Sequence, residues 1–256
     1  METQEEIEAN ALELARCEAS FIHFLSYCKI VTAPTSDNPG GVINFILWPH
    51  ILKAIKTLLS KNLIVWLKSR QIGASWLIAA YVLWYALFKH GAVVILFSKG
   101  QPEAVELLGK SKRIFNHLPN FLRLKTDKFS DSEVTFPQME SSIQALASTE
   151  NAGIGYSASI IVCDEWEQHP YAVSNFMQAK PCIDSTGGQF IGVFTRDKRK
   201  KDPLATRTFI DAMAGKTGFF ALFDPYDVVP GRDEAWYNQK AKELSPDDLE
   251  GLTPEL

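Results

Sequence analysis

Two short stretches of this chain combine residue types in an order that suits phosphate chemistry. The first, "LIVWLKSRQIGASWLIAAY" (residues 63–81), begins as an apolar strand, breaks at Gly73 and continues as a helix. A strand, a glycine turn and a helix N-terminus offer an anion backbone N–H groups and the positive end of a helix dipole, with no particular side chain required. Phosphate loops of this layout usually add a Lys between the last Gly and a Ser/Thr whose hydroxyl meets magnesium. Here Ser75 supplies the hydroxyl, Ala74 stands in the lysine's place, and Lys68 falls where the first glycine belongs. A lysine at the loop entrance could fold back to the same β- and γ-phosphate oxygens. Lys68 is therefore the candidate for a displaced lysine, with Arg70 as a second charge. Ser69, Gln71, Ile72, Gly73, Ala74 and Ser75 would complete the nucleotide cradle. The alternative is a plain strand-to-helix turn with two solvated basic residues.

The second stretch, "SIIVCDE", is an apolar strand ending in two adjacent carboxylates about ninety residues further on. At the carboxyl end of a parallel strand both face the crevice where open α/β sheets bind ligands. Asp164 suits a magnesium shell shared with Ser75, and Glu165 suits a water-activating base. Glu167 is a rival for that base, ranked lower because it falls on the segment that follows.

These residues need a scaffold, and the remaining periodicity describes one. Residues 4–29 read as a single helix, followed by the turn-rich "TAPTSDNPGG". Strands and helices then alternate: a strand over 63–67, a helix from Ser75 to Phe88, a strand over 92–98 and an amphipathic helix over 101–118. "EVTFP" and "SIQALAS" look like a pair of shorter strands. Buried strands follow over 158–165 and 188–195, with one more in "TGFFALFDP" and an acidic helical segment after Pro230. Continuous apolar strands separated by helices imply a mostly parallel sheet covered on both faces.

Composition sets outer limits. With 256 residues, 46% of them hydrophobic and 22% charged, the chain has ample length for a core. A formal net charge of -4 argues against a surface that coats nucleic acid throughout, while leaving room for a local basic patch. Cys17, Cys28, Cys163 and Cys182 lack metal-ligand spacing and read as reduced thiols of an intracellular protein. The acidic start is no signal peptide, and the most apolar helix is short for a bilayer, so no membrane association is expected.

"SRQIGAS" and "IIVCDEWE" together resemble the ATPase motor domain of the large terminase subunit of tailed bacteriophages. They match that family's Ser-Arg-Gln-x-Gly loop and its Walker B strand, and the resemblance runs from about Phe45 to Tyr237. It implies an α/β fold, a P-loop NTPase of the ASCE type with a mostly parallel sheet flanked by helices. An N-terminal helical extension over 1–44, an ATPase domain over 45–228 and a linker over 229–256 toward a missing nuclease domain would complete the chain. Some family members carry the loop lysine at the entrance, as Lys68 would here. ATP and Mg2+ are the implied cofactors. Double-stranded DNA, a portal protein, a small terminase subunit and further copies in a homo-oligomeric ring are the implied partners, in the host cell cytoplasm.

The same resemblance brings Trp48, Pro49 and His50 near the adenine, where an aromatic core turn is the other reading. It makes Thr195 a coupling hydroxyl that senses the γ-phosphate. Residues 196–207 then carry six Lys/Arg and two Asp, a local +4. This run is either a solvated loop or a basic surface for DNA phosphates or a neighbour's nucleotide. Family members often have Gly-Arg-Gly before the Walker B strand, with the Arg as a finger; this chain has Ile154 there. The finger would then be Arg70 in cis, or Arg196, Arg199 or Arg207 in trans, and the same run, with Lys198, Lys200 and Lys201, is the candidate DNA surface. Nuclease activity is not expected of this chain. A helicase-like DNA-dependent ATPase and a catalytically weak nucleotide-binding assembly module are the competing functions.

Overall fold

The structure, a computed structural model, describes residues 3–34, 40–150, 157–245 and 249. Two helices open the chain, α1 (Gln4–Ala19) and α2 (Phe21–Leu25). The single helix expected over 4–29 is thus corrected to two. Ser20 leaves helical geometry at φ -139° and its hydroxyl accepts the His23 N–H at 3.2 Å, so one side chain ends α1 and caps α2. A hairpin follows, β1 (Lys29–Thr32) paired antiparallel with β2 (Gly41–Asn44). Its strands were not expected, because each is short and half-exposed and neither has an apolar run.

The central elements follow the predicted alternation: α3 (Pro49–Ser60), β3 (Leu63–Lys68), α4 (Ala74–Phe88), β4 (Val93–Ser98) and α5 (Gln101–His117). Next come β5 (Glu133–Phe136), β6 (Ser141–Ala147), β7 (Ile160–Cys163), α6 (Ala172–Thr186), β8 (Gln189–Phe194), α7 (Leu204–Met213), β9 (Phe220–Asp224) and α8 (Glu234–Glu243). Seven strands form one sheet in the order β5-β6-β4-β7-β8-β3-β9. The two short strands pair as expected, and in this sheet only that β5–β6 pairing is antiparallel. The carboxyl ends of β3, β4, β7, β8 and β9 therefore share one edge. β8 stands between β3 and β7, so the strand before the glycine loop and the strand before the acidic pair are not neighbours.

Side chains alternate across the sheet and build two cores. Ile64 and Trp66 of β3 face the core shared with α3, α4 and α5, while Val65 and Leu67 face the one shared with α6 and α7. By the same alternation Lys68 lies on the Trp66 face. α4 is buried almost all round because the sheet covers one side and the N-terminal helices cover the other. Phe21 packs against Tyr81 and Trp84, and the Trp84 Nε1–H donates to the Cys17 carbonyl at 2.8 Å. No described helix is long and apolar enough to cross a membrane.

Candidate active site

The glycine loop occupies residues 69–73, between the end of β3 and the start of α4. Gly73 sits at φ 84°, the left-handed conformation that glycine adopts freely, and it caps α4 without a side-chain bond. The first-turn N–H groups of α4 thus have no side chain spent on them at the cap, and no acidic residue stands in that turn. Gln71 is also left-handed, at φ 59°, an uncommon conformation for a residue with a Cβ. The loop is braced from three directions. The Ser69 N–H donates to the Asp224 carbonyl at 2.9 Å. The His50 Nε2–H donates to the Ile72 carbonyl at 2.8 Å. From the opposite end of the chain, the Arg232 guanidinium donates to the carbonyls of Arg70 at 3.0 Å and Gln71 at 3.1 Å.

The carboxylate pair lies just beyond β7. The Asp164 N–H donates to the Phe97 carbonyl at 2.9 Å, and its own carbonyl accepts the His169 Nε2–H at 2.8 Å. Burial pushes His169 down to about 4, which keeps the ring neutral with Nε2 as the donor. Glu165 follows in the left-handed region at φ 53°, the start of a 3-10 turn over Trp166–Gln168. Burial pushes the Asp164 carboxyl up; the Lys68 ammonium opposes that most strongly, and the Glu165 charge adds to it. Glu167 turns the other way. It is buried, and its oxygens accept the Thr206 hydroxyl at 2.9 Å and the Asp197 N–H at 3.3 Å. That carboxylate is committed to tying the turn to α7.

Two adjoining cavities open on this edge. The larger, about 750 Å³, has Lys68, the loop residues from Arg70 to Ser75, and Trp48 on its wall. Its apolar side comes from the β1–β2 hairpin through Ile30, Val31 and Ile43. The smaller, about 510 Å³ and more polar, contains Asp164, Ser98 and Lys99. Arg70, Ser75, Lys110 and Glu165 line both. The expected cations, the helix-start hydroxyl and the acidic pair therefore meet around one space, although β8 separates their parent strands.

Other expected residues lie elsewhere. Ser69 is fully buried behind the loop, and His50 is buried beneath it, so both act here on the backbone and not from the cavity wall. Thr195 is buried at the end of β8, and its hydroxyl has no hydrogen-bond partner. The basic run leaves the same edge. Arg199 pairs with Asp197 at 2.8 Å and Arg207 with Asp202 at 2.8 Å, while Lys198 and Lys201 are exposed. Gln168 donates to Asp197 at 2.9 Å and so joins this run to the turn after the acidic pair. Ile154 lies outside the described residues.

Sequence reading missed Lys110, Asp224, His169 and Arg232. Lys110 lay inside an amphipathic helix with no sign that its face met the site. Asp224 was one acid in an apolar strand; it is buried, and its carboxylate accepts the Trp66 Nε1–H at 2.9 Å. The four cysteines are free thiols.

A donor set for magnesium can be tested on chemistry alone. Among the described residues no three or more His, Cys, Asp or Glu cluster as a metal cage. The Ser75 hydroxyl and the Asp164 carboxylate are among the oxygen donors that border the polar cavity. That fits a hard cation that keeps waters and binds through one or two carboxylates plus substrate phosphates.

Residues 65–183 match the family model described as terminase large subunit, T4likevirus-type, N-terminal. Among solved structures, the Thermus phage P74-26 large terminase ATPase domain aligns at 13% identity and a TM-score of 0.58, covering 76% of this chain and 88% of that one. The HK97 bacteriophage large terminase aligns at 14% identity and a TM-score of 0.65, covering 91% of this chain and 50% of that one. A large terminase from a thermophilic bacteriophage, in complex with ATP-gamma-S, aligns at 13% identity and a TM-score of 0.57, covering 80% of this chain and 51% of that one. The fold is thus that of phage large terminase ATPase domains, and the chain spans about half the length of the longer terminases it matches.

Proposed function

We propose that this chain, whose residues 65–183 match the terminase large-subunit family model and whose fold is that of phage large terminase ATPase domains, hydrolyses ATP to drive double-stranded DNA into a procapsid. The observation that carries the proposal is the convergence of Lys68, Arg70, Ser75 and Glu165 on one cavity wall, with Asp164 beside them. ATP's phosphates would lie against the N-terminus of α4, where the loop N–H groups and the helix dipole favour negative charge. The large cavity's apolar side, with Trp48 and Ile43, would take the base.

Phosphoryl transfer asks the protein chiefly for positioning and charge stabilisation. Lys68 and Arg70 neutralise charge that develops on the transferred group and the leaving oxygens. Glu165 orients a water for in-line attack and takes its proton. Its left-handed backbone costs about 1–3 kcal/mol in such positions, a strain commonly found at functional sites. Ser75 and Asp164 would hold magnesium, which when bound would supply neutralisation of phosphate charge. Portal, small-subunit and ring contacts belong to the same reading, by way of the family.

Steady-state phosphate release with and without DNA, beside binding of ATP-gamma-S, tests the function. Wild type should turn over, and Glu165→Gln should bind the analogue nearly as well while hydrolysis disappears, since glutamine keeps the shape and loses the base. Turnover within a few-fold of wild type would move the role away from Glu165. Analogue binding by a wild type that never hydrolyses would favour an assembly module.

A further inference from the structure

Arg232 lies 162 residues beyond Arg70 in the chain, past β9 and at the threshold of α8, and yet it holds the phosphate loop. Its guanidinium spans two successive carbonyls, those of Arg70 and Gln71. It also lies over the Trp236 ring, 5.0 Å from the centroid, and borders the large cavity. Trp236 in turn stacks on Tyr226 with centroids 5.6 Å apart and planes 17° from parallel. The Asp233 side chain caps α8 by accepting the Trp236 N–H at 2.9 Å, which fixes the first turn that presents this ring.

We propose that Arg232 is a positioning residue for the nucleotide, clamping the phosphate loop in its binding conformation and joining it mechanically to α8. This rests on the ATP-binding reading above. The argument is one of peptide geometry. In a planar trans peptide the N–H points opposite to the C=O. Fixing the carbonyls of Arg70 and Gln71 toward Arg232 therefore aims the N–H groups of Gln71 and Ile72 away from it. Gln71 needs such a brace more than most residues, because it is held at φ 59° without the freedom of glycine. A guanidinium suits this role, since its planar fork meets two acceptors at once, whereas an ammonium is a single point charge. The stack on Trp236 makes the coupling reciprocal, so any shift of α8 moves the group that orients the loop.

ATP KM and kcat, together with the dissociation constant of ATP-gamma-S, should be measured for wild type, Arg232→Ala, Arg232→Lys and Trp236→Ala. Loss of two charge-assisted bonds should weaken analogue binding and raise KM by about tenfold or more in Arg232→Ala, with kcat falling by less. Arg232→Lys should recover only part of the loss, and Trp236→Ala should move KM in the same direction by less. Amide hydrogen exchange gives a readout that a merely structural role would not move. In wild type, ATP-gamma-S should slow exchange both in the loop and in α8; in Arg232→Lys, at saturating analogue, the loop should still be protected while the effect on α8 is lost. Unchanged KM in a folded Arg232→Lys protein, or protection of α8 that survives it, would overturn the clamp. A wild type that binds no ATP-gamma-S would overturn the nucleotide reading instead.

Discussion

Lys68 carries the least conventional assignment in the site. It ends β3, is buried to 5% exposure, borders the large cavity, and its charge opposes the burial of Asp164. A lysine buried at the edge of the cavity is a preorganised positive charge, in place before any phosphate arrives. Lys68→Ala should therefore cost hydrolysis at least a hundredfold, about 3 kcal/mol for one preorganised charge contact. Adding Ala74→Lys should restore part of that, because position 74 borders the same cavity and is where phosphate loops usually carry the charge. Single-turnover hydrolysis by the two variants checks this. A Lys68→Ala protein with near-normal rates would leave Arg70 as the effective cation.

At the scale of elements, the turn after β7 depends on a space in β8. A Cβ at Gly192 would overlap the Trp166 ring, lying 2.6 Å from its Cζ3. Trp166 is fully buried and immediately follows Glu165. Gly192→Ala should cost about 1–3 kcal/mol of stability by overpacking, and the displaced Trp166 should slow hydrolysis more than it weakens ATP-gamma-S binding. Gly109→Ala in α5 is the contrast: the nearest side-chain atom would be 3.9 Å away, so the change should stabilise by about 0.5–1 kcal/mol through helix propensity. Thermal denaturation of the two variants should move in opposite directions. The strands themselves were readable because parallel strands buried on both faces are unbroken apolar runs, and the acidic pair was readable because it ends one of them. The braces were not. Glu167 to Thr206 and Arg232 to Gln71 join polar residues that only the folded chain brings near, the short link from His169 to Asp164 depends on the shape of one turn, and no periodicity marks any of them. The break at Ser20 stayed hidden for a related reason, since apolar spacing continues across it and the cap is a matter of one side chain.

For the molecule as a whole, charge is distributed against the average. The chain is net -4, but residues 196–207 carry a local +4 and leave the sheet from the same edge as the site. Glu167 and Gln168, just past the acidic pair, hold Asp197 at the root of this run, so the turn that bears Glu165 is tied directly to the basic loop. If the loop meets DNA, that tie gives a short path from nucleotide state to DNA contact. Neutralising Lys198, Arg199, Lys200 and Lys201 together should weaken DNA binding and flatten its dependence on salt. Fewer phosphate contacts release fewer counterions, so the log–log slope should become shallower. Basal hydrolysis without DNA should change far less than DNA-stimulated hydrolysis. DNA binding measured across a range of salt concentrations decides the matter. An unchanged slope would remove this loop from the DNA interface, and a loss of stimulation between copies in its place would assign the run to a neighbour's nucleotide.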